Sequence, residues 1–174
     1  MLLGGVSESG GPASSLALAP PPGFSRCTKL HWVCKCENPH HKRSRSSPSQ
    51  KAGLAYEKKA VAYLRGLFPD LIVGQWFKFS DGRDTRFCQA DAIHFDGETA
   101  AIFEIKIRWT ATAWWQLHEL YLPIVVAAYQ PKRVRLVCVT RSFDPAIPVP
   151  GRIEFADNLK DVDAAGVAVH IWRP

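Results

Sequence analysis

Asp91, Glu104 and Lys106 lie on two apolar segments joined by the turn signal Asp96-Gly97. Folded as a β-hairpin, these segments bring two carboxylates and an ammonium together. Such a cluster on apolar strands is costly unless a divalent metal or a reacting anion compensates it. The run from Asp91 to Lys106 is therefore a candidate active site.

Alternate residues of a strand share a face. In the second segment Phe103, Ile105 and Ile107 make one face, and Glu104, Lys106 and Arg108 the other. Asp91 shares parity with Phe87, Ile93 and Phe95, so the acid interrupts an apolar face and is expected to be partly buried. A two-residue loop, Asp96-Gly97, places Asp91 one diagonal step from Glu104, whereas a four-residue loop, Asp96 to Thr99, places them directly opposite. Either register converges the carboxylates. A three-residue loop separates them unless a bulge restores the phase.

The elements that must hold this hairpin are legible on either side. Leu54, Glu57, Val61, Leu64 and Phe68 fall on one stripe at helical spacing, with Glu57 an acid inside it, and Pro69-Asp70 stops the helix. Residues 71–79 read as a strand, Ser80 to Thr85 as a turn, and 86–95 and 99–108 as the hairpin strands. Residues 112–129 read as helix, with Pro123 kinking it or starting a second one. A strand over 133–140, a proline-marked loop, and short strands near 152–156 and 167–172 around a helical turn at 157–164 complete the chain.

This order, with Asp91, twelve intervening residues and then Glu104-Ile105-Lys106, resembles the PD-(D/E)XK phosphodiesterase superfamily over about residues 53–140. The resemblance implies an α/β fold with a restriction-endonuclease-like αβββαβ core, a central mixed β-sheet flanked by helices. It implies that Asp91, Glu104 and the Ile105 carbonyl hold Mg²⁺, with Mn²⁺ as a substitute, and that Lys106 orients or activates the attacking water. Glu57 matches an acid that many members carry on the first helix. Gln116 matches a glutamine that some carry after the motif, although Tyr121 follows it at five residues where one nuclease branch has four. The activity implied is hydrolysis of phosphodiester bonds in DNA, endo- or exonucleolytic, and a metal ion suits that chemistry by activating water and stabilising charge on phosphorus. The alternative is a catalytically inactive nucleic-acid-binding module of the same fold. A homodimer is compatible with cutting both strands of a duplex.

Length and composition set the frame. With 174 residues and 47% hydrophobic content the chain supports one domain. We expect it over 51–174, after a disordered, basic segment at 1–50 that is rich in Gly, Ser and Pro to about residue 25. The formal charge of +6 resides mostly in that segment, with 6 Lys or Arg against 2 acids in residues 1–50 and 16 against 14 in the rest. Any DNA-binding surface on the domain must then be local, and Lys78, Arg83, Arg86 and Arg108 are the candidates for phosphate contacts. Trp114 and Trp115, beside Arg108 and Trp109, could stack on exposed bases, although core packing suits at least one tryptophan of each pair better.

Cys88 and Cys138 fall inside predicted strands as small buried residues. Cys34, Cys36 and His40, with Cys27, His31 or His41 nearby, offer soft zinc ligands, but their spacing lacks a second regular ligand pair. No apolar stretch approaches the length of a membrane span. We therefore expect a soluble, cytoplasmic protein.

Overall fold

A reciprocal capping box starts the first helix, α1 (Pro48–Leu67): the Gln50 N–H donates to Ser47 Oγ at 3.2 Å, and the Ser47 N–H donates to Gln50 Oε1 at 2.7 Å. Pro48 in the first turn forfeits no helical hydrogen bond there. Phe68 ends the helix, its N–H still donating to the Leu64 carbonyl, and Pro69 prevents continuation. The computed structural model describes residues 30–39, 47–162 and 166–174.

Among these, seven strands form one mixed sheet: β1 (Trp32–Cys36), β2 (Ile72–Ser80), β3 (Thr85–Phe95), β4 (Thr99–Arg108), β5 (Arg133–Ser142), β6 (Ile153–Phe155) and β7 (Val167–Ile171). Their order is β1-β2-β3-β4-β5-β7-β6. Strands β1 to β4 are antiparallel neighbours, and β4, β5, β7 and β6 run parallel. A parallel β4–β5 pair needs a crossover. It is supplied by α2 (Ala111–Trp115), a π-helical turn (Gln116–Tyr121) and α3 (Leu122–Tyr129), the last with Pro123 in its first turn.

The two sheet faces carry separate cores. On one, Tyr56, Ala60, Val61, Leu64 and Phe68 pack on Ala92, Phe103, Ile105, Val137 and Val139. On the other, Trp115, Leu117, Tyr121, Ile124 and Val125 pack on Ile93, Ile102, Leu136 and Cys138. The protein is thus α/β, a mixed seven-stranded sheet flanked by helices. Among the described residues no helix is long and apolar enough to cross a membrane.

Three expectations need correction. Residues 1–50 are not wholly a disordered segment, because Trp32–Cys36 pairs antiparallel with β2, from Trp32 opposite Ser80 to Cys36 opposite Trp76, and α1 already begins at Pro48. As an edge strand, β1 buries little: Val33 and Leu30 reach the core, and the Lys35 ammonium sits 3.7 Å from the Tyr129 ring centroid. Leu54 is 57% exposed, since no residue of α1 before Tyr56 is buried and the first turns overhang the sheet. Residues 157–162 form a turn and not a helix, fixed by the Lys160 N–H donating to Asn158 Oδ1 at 3.0 Å. The disorder expected for residues 1–25 lies outside the described residues.

Candidate active site

The hairpin turn decides the register. Asp96 Oδ1 accepts from the N–H groups of Glu98 at 2.8 Å and Thr99 at 2.7 Å, and Gly97 takes φ 93°, which a side chain would resist. Phe95 then pairs with Ala100, Ile93 with Ile102 and Ala92 with Phe103. This is the four-residue-loop register, so the next step sets Asp91 across from Glu104.

At that step the β3–β4 ladder stops. The Ile105 N–H donates to Asp91 Oδ2 at 2.8 Å in place of a strand carbonyl. Strand β3 meanwhile keeps its pairing with β2, Ala90 opposite Gln75, and β4 keeps β5, Glu104 opposite Cys138. The two central strands therefore part where the carboxylates stand. Since the N–H and C=O of one strand residue point to the same side, the Ile105 carbonyl also faces this opening.

Glu104 is fully buried, and its carboxyl faces the Asp91 carboxyl and the Lys106 ammonium. Its Oε1 is met by the Lys106 ammonium in a close ion pair. Burial pushes the Glu104 carboxyl up to about 8, reinforced by Asp91 and opposed by Lys106. Asp91, half-buried as expected, is also raised: burial outweighs the Ile105 N–H and the Lys106 charge. Lys106 is pulled down by its own desolvation, but Glu104 and then Asp91 overcome this and the net shift is upward. The carboxylate pair is thus short of positive charge, while the lysine is held protonated.

Glu57 sits half-buried on α1, close enough that Asp91 raises and Lys106 lowers its carboxyl; burial makes the net shift upward. It completes no three-ligand cluster, since no group of three or more His, Cys, Asp or Glu side chains comes together for a metal among the described residues. A cation at this site would have two carboxylates and a backbone carbonyl, with Glu57 in an outer position.

Gln116 reaches the same centre from the other face. Its Nε2 donates to Tyr121 Oη at 3.3 Å. Tyr121 is buried, and its phenol is pushed well up by burial and then by Glu104 and Asp91. In an α-helix, residues five apart point about 140° away from one another. The π-helical turn, which spans Gln116 to Tyr121, brings them to one side. Sequence reasoning noted the spacing of Tyr121 but assigned it no role, and the π turn carries no local signature.

Other candidates are dispersed. Arg86 pairs with Asp81 at 3.3 Å and Lys78 lies near the Trp32 and Phe87 rings. Arg108 is exposed at the end of β4, and Trp114 and Trp115 are buried, as core packing requires. Cys88 and Cys138 are buried thiols. Cys34 and Cys36 share one face of β1, while Cys27, His40 and His41 of the zinc reading lie outside the described residues.

Compared with protein-family models, with curated proteins and with solved structures, the chain finds no significant match.

Proposed function

We propose that this chain is a divalent-metal-dependent nuclease with a restriction-endonuclease-like core, hydrolysing phosphodiester bonds in DNA. The observation that carries the reading is Glu104, a fully buried acid across a broken ladder from a second carboxyl, Asp91, with a single ammonium, Lys106, against the pair. Two buried carboxyls that share one ammonium call for a further cation, and hard oxygen donors suit Mg²⁺ or Mn²⁺. Asp91, Glu104 and the Ile105 carbonyl would hold the ion, which supplies charge to activate water and to offset charge on the phosphate.

The remaining roles belong to side chains. Lys106, about a third exposed, presents a protonated ammonium on the solvent side of Glu104, where it positions the attacking water or stabilises a phosphate oxygen. Glu57, with its carboxyl raised, is placed to hold a water by hydrogen bond. Gln116 and Tyr121 close the helix side of the centre, the Gln116 amide donating to the Tyr121 hydroxyl.

The test is hydrolysis of linear, circular and branched DNA with Mg²⁺ or Mn²⁺. Activity is expected in the wild type and lost in Asp91→Ala and Lys106→Ala. Cleavage undiminished in either variant would sink the assignment, and cleavage of the circular substrate would establish endonucleolytic action.

A further inference from the structure

Strands β4, β5 and β7 are parallel, so their carboxyl ends lie at one edge of the sheet. Ligands of α/β sheets gather at such edges. There, Lys106 lies opposite Thr140, Thr140 opposite Ile171, and Arg108 opposite Ser142. Arg141 lies between Thr140 and Ser142 on β5, and Arg173 two residues beyond Ile171.

Arg108, Arg141 and Arg173 surround a cavity of about 420 Å³, together with Ile107 and Ser142. All three arginines are exposed, the lining includes no acid, and none of the three pairs with a carboxylate among the described residues. Arg173 Nε instead donates toward the Arg141 carbonyl at 3.5 Å. An adjoining cavity of about 340 Å³ shares Arg108 and Ser142 and adds Trp109, a fully buried residue whose indole N–H has no acceptor among the described residues. The one acid lining that second cavity, Asp144, accepts the Ala146 N–H at 2.9 Å.

Three exposed arginines lining one cavity that has no acid in its wall concentrate positive charge there, which an anion would offset. Their planar forks match phosphate oxygens bidentately. Arg108 stands two residues beyond Lys106 on β4, a span of about 6.6 Å, which is the scale of one nucleotide step. We infer that this arginine-lined cavity is a second phosphate subsite, binding a backbone phosphate of the substrate strand next to the one at the Asp91–Glu104 centre. This rests on the nuclease reading for its substrate class, but the anion site itself does not require cleavage.

The full chain is titrated against a short fluorescein-labelled single-stranded DNA in EDTA, at a series of salt concentrations, as wild type, Arg141→Ala, Arg173→Ala and the double variant. Arg65→Ala, an equal loss of charge on an exposed position of α1, is the control. Loss of the subsite in the double variant is expected to flatten the slope of log association constant against log salt by about 0.7, the single-strand value for one phosphate contact, with each single variant falling between it and the wild type. Arg65→Ala should leave the slope unchanged. Inorganic phosphate, added alone, should raise the melting temperature of the wild type and not of the double variant. Should the double variant not fold, Arg173→Ala, exposed and beyond the end of β7, gives the same reading.

Slopes unchanged in the arginine variants, or lowered as much by Arg65→Ala, overturn the subsite. Arginine-dependent stabilisation by inorganic phosphate with an unchanged DNA slope also overturns it, in favour of a small-anion site. Metal-dependent cleavage combined with unchanged slopes removes the subsite alone. Arginine-dependent slopes in a protein that cuts no DNA remove the nuclease reading and leave the subsite standing.

Discussion

Replacing Glu104 by Gln keeps the side chain's shape and deletes a charge that the metal-free fold holds at a loss. The Glu104 carboxyl stands at about 8 in the folded chain against 4.5 for the ordinary group. For an acid raised on folding, the native state binds the proton more tightly, so stability is lost as pH rises from 4.5 and levels off above 8. At about 1.4 kcal/mol per pH unit, the gap caps the loss at about 5 kcal/mol, of which about 3 kcal/mol falls between pH 5 and pH 8. Glu104→Gln lacks this slope. The ion pair with Lys106 is lost too, but that ammonium is partly exposed and water replaces the contact.

Urea denaturation in EDTA should therefore find the two proteins of similar stability near pH 5, and the Gln variant more stable by about 2–3 kcal/mol near pH 8. Added Mn²⁺ should reverse the order at pH 8 by stabilising the wild type alone. Parallel pH profiles for the two proteins, or a Gln variant that is weaker at pH 8 without metal, would refute the reasoning about buried charge.

Metal affinity should rise close to tenfold per pH unit as pH climbs toward 8, because Glu104 must shed its proton to bind a cation; Mn²⁺ titration calorimetry across pH checks this. Gln116→Ala should leave the buried Tyr121 hydroxyl without its donor and cost about 1–3 kcal/mol, measured by urea denaturation, a loss that Tyr121→Phe in the same background should partly restore. Leu64→Ala, fully buried, should cost about 2–5 kcal/mol, whereas Leu54→Ala should change stability by less than about 0.5 kcal/mol, with thermal melting as the readout.

The centre of the sheet was readable because its signals are local. The alternation of β4, the Asp96-Gly97 turn and the parity of Asp91 each follow from neighbouring residues, and they narrowed the register to two converging solutions, of which the Asp96 side-chain bonds select one. Strand β1 was less visible. Its pairing depends on β2, about forty residues away, and its own faces are mostly exposed, so Trp32–Cys36 carries little hydrophobic pattern. The overhang of Leu54 depends on where the sheet ends, which the periodicity of α1 does not encode. Arg141 and Arg173 belong to no motif at all and meet only through the parallel arrangement of β5 and β7.

The π-helical turn has a consequence for how this chain tolerates length change. A π turn holds one more residue than the α-helical turn it replaces. Loss of a single residue between Gln116 and Tyr121 would convert it to ordinary α-helix while leaving α2 and α3 facing as they do now, with Ile124 and Val125 still on the sheet. The same loss inside α3 would rotate everything downstream of it by about 100° and carry apolar side chains into solvent. The turn is thus a slack link between β4, which bears Glu104 and Lys106, and the helix that follows, and of the helical crossover it is the segment where the chain can shorten by one residue and keep its candidate centre aligned.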